Sequence, residues 1–354
     1  MINHAMFNEV WGRFDSQHIP FLTRLKQKME TSQPYKGLKI FHNIPLTFET
    51  VIKVDSLLLG GADVVVSGVS VISPNKAAMG FLERANVKVD LDKKIDGGFN
   101  AYLDCGAELL NFPAPSLGTV ELTQTGSVIY RDHPIPHSYP VISIDDSPLK
   151  HLETIGTGHS CVEAVSKLTK QPIDNKKFMV FGYGKVGRGI VKALKNYTNE
   201  VVVVESDQKL INTLAKMNLN VINASSVGDI KRELADTHCV ITATGKKGCV
   251  SEILDREDLA GIHLANAGVE DEFGAKFTTD DVLYAKQPVN FSLDVPTVLH
   301  YLDPVLYAHN IALDLLIANE FPSGYHQFPD YLAKEIMQEW EQLHDADLEE
   351  MLAI

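Results

Sequence analysis

Short apolar runs alternate with amphipathic stretches along most of the chain, and the order of the two kinds predicts a layered α/β protein. Residues 1–36 are polar, with Trp11, Ile19, Phe21, Leu22 and Leu25 placed to form an apolar helical stripe. Gly37–Ile44 reads as a short strand. The spacing of Phe48, Val51, Ile52, Leu57 and Leu58 predicts a helix over 47–59, capped by Thr47 and ended by Gly60-Gly61. Ala62–Ser67 is a continuous apolar run, the pattern of a strand buried on both faces. Pro74 opens a further helix to about Ala85, and Val87–Val89 and Asn100–Asp104 read as strands. The stretch 111–147 carries Pro113, Pro115, Pro134, Pro136 and Pro140, with Pro148 just beyond, and is expected to be irregular apart from a strand near Pro140–Ile144. A long helix is expected from about Leu149 to Thr169, with Gly156 and Gly158 as weak points. Beyond Pro172 and Asn175, strand and helix alternate again from Lys177 to roughly Leu299. Two helices, about 303–318 and 329–352, are expected around a Phe321–Tyr325 turn.

Composition narrows the function classes. The 354 residues carry 32 basic and 46 acidic side chains, a formal charge of −14, which argues against general nucleic-acid binding. It leaves open a phosphate group held by backbone amides. No run of 18 apolar residues occurs, so no membrane span is expected, and the first residues lack the pattern of a signal peptide. Cys105, Cys161, Cys239 and Cys249 form no Cys-x-x-Cys pair and fit a reducing cytosol, so a cytoplasmic location is expected. His133 and His137 are the closest histidine pair but lack a third ligand nearby in sequence, and no metal site is expected. No Gly-x-Ser-x-Gly elbow is present.

The strongest chemical signal begins at Lys177. The strand-like Lys177–Phe181 runs into Gly182-Tyr183-Gly184-Lys185-Val186-Gly187, a helix follows, and the next strand, Val201–Val204, ends at Glu205. That is a dinucleotide-binding fingerprint in its full context. Gly182 permits the tight turn, Gly184 lets backbone approach a pyrophosphate, and Gly187 lets helix and strand pack closely. A carboxylate at Glu205 accepts from both ribose hydroxyls and repels a 2′-phosphate, which favours NAD over NADP. Two later strands stop at Thr244-Gly245 and at Asn266-Ala267-Gly268, placing these residues at the same ligand edge.

Several further motifs, in order, resemble the S-adenosylhomocysteine hydrolase family. Leu46-Thr47-Phe48-Glu49-Thr50 is similar to its Met-Thr-x-Glu-Thr signature, and Leu103–Leu109 to its Asp-Asp-Gly-Gly-Asp-Leu loop. Asp146-Ser147 with Lys150 resembles its Asp-Ser-x-x-Lys, and the Gly182–Gly187 stretch with Glu205 its cofactor motif. The resemblance covers about Trp11 to Asn310. It implies a cofactor set of Thr123, Gln124, Thr125, Gly182, Gly184, Lys185, Val186, Gly187, Glu205, Thr244, Gly245, Asn266, Ala267, Gly268 and Asn310. It implies Thr47 and Glu49 as substrate residues at an adenine end, and Lys150 as the catalytic residue nearest a ribose. The family's proton-handling positions fall instead on Pro45, Cys105, Leu122, Thr154-Ile155, Val269 and Asp303, and most of these cannot exchange a proton. Its distal tail has no counterpart here.

The expected fold is therefore α/β, a Rossmann NAD-binding domain inserted in a second parallel α/β substrate-type domain. The expected boundaries are 1–158 and 303–354 for the substrate-type domain and 159–302 for the NAD domain. The expected function is a divergent NAD-dependent enzyme acting on a nucleoside-like or other hydroxylated small molecule in an interdomain cleft, with Lys150 as the one base a hydride step needs. The alternative is a non-catalytic NAD- or adenine-nucleotide-binding regulator that engages a protein partner through its acidic C-terminal helix. A homo-oligomer, dimer or tetramer, without the family's exchanged tail is expected, with neither nucleic acid nor membrane as partner.

Overall fold

The computed structural model describes residues 2–95 and 97–352. Its strands, in chain order, are β1 (Lys39–Asn43), β2 (Asp63–Ser67), β3 (Lys88–Val89), β4 (Ala101–Asp104), β5 (Gly118–Glu121), β6 (Pro140–Ser143), β7 (Lys177–Phe181), β8 (Val201–Glu205), β9 (Asn220–Asn223), β10 (Thr237–Thr242), β11 (His263–Asn266) and β12 (Gly324–Gln327). They form two parallel sheets, one of order β12-β6-β5-β4-β1-β2-β3 and one of order β11-β10-β7-β8-β9. The chain divides into two compact units. The first joins the residues up to Glu153 to those from Leu299 on, and the second is Thr154–Val298. No helix among the described residues is long and apolar enough to cross a membrane.

In the second unit the period of two along each strand builds a core on both faces of the sheet. Phe178, Val180, Val201, Val203, Cys239 and Ile241 face one core, and Met179, Phe181, Val202, Val204 and Val240 face the other. Burial on both faces is why these strands read as unbroken apolar runs rather than alternating ones. One of these cores receives two helices that touch at glycine. A Cβ on Gly158, in the Leu149–Thr169 helix, would lie 2.1 Å from the Gly189 carbonyl carbon, and one on Gly189 would lie 2.0 Å from the Thr154 oxygen. Gly158 is thus no weak point. It is what lets the Lys185–Leu194 helix come this close.

In the first unit, the Phe48–Leu59 helix starts where expected, its Thr47 amide donating to Thr50 Oγ1 at 3.0 Å. The next helix, Lys76–Arg84, is capped by the Asn75 side chain rather than opened by Pro74. The stretch expected to be irregular holds β5 and a helix, Gln124–Arg131, besides β6. Four-residue strands between prolines give too few positions for a period to show. The turn expected near 321–325 contains β12, and the acidic terminal helix breaks at Asp345, which has φ 48°. The Leu299–Ile317 helix contains Pro304. Pro304 has no amide for the His300 carbonyl, and Trp340 Nε1 donates to that oxygen at 2.6 Å. Trp11 Nε1 is likewise tied, to Asp55 Oδ2 at 2.8 Å. Asp303 is fully buried and accepts from the amides of Phe21 and Leu22 at 2.8 and 3.0 Å, capping the Pro20–Ser32 helix from outside it.

The glycine contact predicts opposite outcomes for one mutation type. Gly158→Ala is expected to lower unfolding free energy by about 2–3 kcal/mol through overpacking against backbone. Gly228→Ala, in the Val227–Glu233 helix with no atom within 4 Å of the new Cβ, is expected to raise it by about 0.5 kcal/mol. Urea unfolding of the two variants beside the parent measures both.

Candidate functional site

In each sheet the chain starts in the middle, winds one way and then reverses. In the second unit the reversal falls between β7 and β10, and the loops at the carboxyl ends of these strands border the crevice where such sheets take ligands. Gly182, directly after β7, has φ 90°, and a Cβ there would lie 2.7 Å from the Ala243 oxygen. A Cβ on Gly187 would lie 2.1 Å from the Gly182 oxygen. The protein itself therefore requires these two glycines. Gly184 differs: its φ is −68°, and a Cβ would meet no atom within 4 Å. It is also the N-cap of the Lys185–Leu194 helix, with no capping side chain. Lys185, Val186 and Gly187 form the first turn. Glu205 ends β8 and accepts from the Tyr183 amide at 2.8 Å and from the Ser206 and Asp207 amides at 2.7 and 3.0 Å, so its carboxylate lies against the glycine turn.

Across the reversal point, a residue not anticipated from sequence organises the edge. Glu272, fully buried, accepts from the Thr244 amide and hydroxyl, both at 2.8 Å, and from the Gly245 amide at 2.7 Å. A Cβ on Gly268 would lie 2.0 Å from Glu272 Oε1, so a larger residue there would displace this carboxylate. Burial pushes the Glu272 carboxyl up, and the Thr244 and Gly245 donors oppose that shift. Asn266, also fully buried, lies at the centre of a network. Its Oδ1 accepts from Thr242 Oγ1, and its Nδ2 lies 2.8–2.9 Å from the carbonyls of Gly268, Glu270 and Lys286. Ala267 continues the ladder through its amide to the Thr242 oxygen. The Asn266 contact with Lys286 holds Tyr284, Ala285 and Lys286 in three successive left-handed conformations, φ 55°, 51° and 67°. Such strain in residues with a Cβ persists only where the surroundings impose it. No sequence period marks Glu272 or this turn. The nearest signal was the glycine at 268.

In the first unit the reversal falls between β1 and β4. The last residues of the paired strands form one polar row, Ser67, Asn43, Asp104, Glu121, Ser143 and Gln327. Asp104 accepts from Asn43 Nδ2, the Cys105 and Leu109 amides and the Tyr130 hydroxyl. Glu121 accepts from the Gly106, Ala107 and Thr123 amides and the Thr123 hydroxyl. Together they fold the 105–109 loop down onto the edge. Burial, joined by the neighbouring Asp104 charge, pushes Glu121 up to about 7. Cys105 is buried and held as a thiol, pushed well up by burial and by the charges of Glu121 and Asp104.

Thr123 caps the Gln124–Arg131 helix, and Gln124 and Thr125 are exposed in its first turn. Thr47 and Glu49 are both buried, and Glu49 Oε2 has no hydrogen-bond partner among the described residues. Lys150 is buried in an ion pair with Glu153. Burial works to lower its ammonium, but Glu153 and Asp145 more than reverse this, so it holds its proton more firmly than a free lysine. Asn310 lies in the Leu299–Ile317 helix. It is fully buried, its Oδ1 accepts from Lys53 Nζ at 2.6 Å, and its Nδ2 donates to the Lys53 oxygen at 3.0 Å. Its amide is used at both ends inside the first unit. Lys53 contacts His42 Nε2 at 2.9 Å, and burial drives both side chains well toward their neutral forms.

Glu49 gives a pH signature. Burial raises its carboxyl from 4.5 to about 7. Between those values the folded chain keeps a proton that the unfolded chain has released, so stability falls as pH rises from about 4.5 to 7 and stays low above. Glu49→Gln is expected to raise stability at about pH 8 by about 1–3 kcal/mol and to converge on the parent near pH 4.5. Denaturant unfolding at several pH values checks this.

Comparison with known proteins finds a match within the second unit and matches over most of the chain. Residues 178–247 match the TrkA-N domain family. Adenosylhomocysteinase of Sulfolobus acidocaldarius is 28% identical over 281 residues, 71% of this chain and 65% of that one. S-inosyl-L-homocysteine hydrolase of Methanopyrus kandleri is 26% identical over 285 residues, 73% of this chain and 65% of that one. The chain thus spans just under two thirds of the length of these relatives. Among solved structures, a dipicolinate synthase chain from Bacillus halodurans aligns with a TM-score of 0.44 and 13% identity, covering 80% of this chain and 98% of that one. The chain is a divergent relative of the adenosylhomocysteinases and S-inosyl-L-homocysteine hydrolases.

Proposed function

We propose that the second unit binds NAD and that the chain is a divergent NAD-dependent enzyme of this group, acting on a nucleoside-like or other hydroxylated small molecule. The observation that carries the reading is Gly184. The fold needs Gly182 and Gly187 for its own packing, but among the described residues no packing neighbour lies within 4 Å of a Cβ on Gly184. A glycine there, at an uncapped helix N-terminus at the reversal point, suits a pyrophosphate approaching the backbone. Gly182–Gly187 would cradle the phosphates and Glu205 would receive the ribose hydroxyls, exchanging its bonds to backbone amides for bonds to the ribose. NAD, when bound, supplies the hydride acceptor.

The substrate side rests on the first unit. Thr47 and Glu49 would bind a ligand N–H or hydroxyl, which would give the buried Glu49 Oε2 a partner. Lys150, as an ammonium, would orient a substrate hydroxyl oxygen by donating to it. The regulatory reading is favoured by a different observation: Asp104 and Glu121 are each met by four internal donors, which leaves them little capacity for acid–base work.

Gly184→Ala has room for its Cβ, so its thermal midpoint is expected to match the parent while NAD affinity drops at least about tenfold. Calorimetric titration with NAD, on protein freed of bound nucleotide, measures this. Undiminished NAD binding by the variant would remove the support for the cofactor site. Absorbance near 340 nm appearing when the NAD-loaded chain meets a nucleoside panel would separate the enzyme from the regulator.

A further inference from the structure

Glu272 is the one fully buried carboxylate in the second unit among the described residues, and it occupies the crevice edge itself. Three donors of the Thr244-Gly245 turn close on it, and Gly268 makes room for it. With both amides engaged, this turn has none left for a phosphate. A dinucleotide on a sheet of this order places its adenosine half over the strand after the glycine turn and its other half across the reversal point. Here those are β8 with Glu205 and β10–β11 with Glu272. The Asn266 network and the left-handed Tyr284–Lys286 turn pin the loop that carries Glu272, so its charge is fixed in place.

We propose that Glu272 is a positioning residue that holds the Thr244-Gly245 turn and sets a fixed negative charge beside the nicotinamide half of the site, so that the site prefers the oxidised, cationic ring to the neutral reduced one. This rests on the dinucleotide reading above. A carboxylate in a water-poor edge attracts a cationic ring and gains nothing from a neutral one. Its burial is tolerated because its donors are all in place before any ligand arrives.

The test uses the full chain stripped of nucleotide and calorimetric titration with NAD and with NADH, on the parent, Glu272→Gln and Glu272→Asp. The parent is expected to bind NAD more tightly than NADH. Glu272→Gln is expected to lose about tenfold in NAD affinity with NADH affinity unchanged, and Glu272→Asp to recover part of the loss. Damage to the fold alone weakens both forms together, so an equal loss overturns the proposal. Parent protein that binds NADH as tightly as NAD overturns it too, even if Glu272→Gln does not fold. Parent protein that binds neither form removes the dinucleotide reading and this proposal with it, whereas NAD binding without a preference between redox forms removes this proposal only.

Discussion

Buried carboxylates that collect backbone amides hold the carboxyl edge of both sheets. A parallel sheet ends all its strands on one side, and the loops leaving that edge carry amides with no ladder partner. Asp104 and Glu121 gather those of Cys105, Gly106, Ala107, Leu109 and Thr123 in the first unit, and Glu272 gathers those of Thr244 and Gly245 in the second. A buried carboxylate left unpaired costs several kcal/mol or gives up its charge, so each of these is stable only as long as its loop stays folded on it. Loop and carboxylate therefore stand or fall together, and the shape of each ligand edge follows.

Where local pattern and tertiary role coincide, the sequence was readable. The valine run Val201–Val204 and the helix of Leu149–Thr169 needed only their own residues to be recognised. The fingerprint from Gly182 to Glu205 was legible because turn, helix and acid must keep a fixed spacing. Gly118–Glu121 and Gly324–Gln327 were not, since four residues between turns carry no measurable period, and their pairing is with strands distant in the chain. Glu272 and the partners of Asn310 were missed for a related reason. A buried polar residue is defined by its partners, and Lys53 lies 257 positions from Asn310. Gly158 is the inverse case: propensity marks it as a helix weakness, while the approach of a second helix makes it necessary.

Positions that the resemblance to the hydrolase family would give to proton exchange carry apolar or capping residues in this chain. Leu122 and Ile155 are buried, and Asp303 is used to cap a helix. The glycine turn and the carboxylate-held loops set the backbone shape at the two sheet edges.

The indole contacts have a practical side. The chain has two tryptophans, and both Trp11 and Trp340 lie in the first unit, each tied through Nε1 to that unit's own groups. Tryptophan emission is consequently a spectroscopic label for one unit alone, while far-ultraviolet circular dichroism sees both. If the two signals part company on heating, the units melt independently, and their separation can be read without introducing any label.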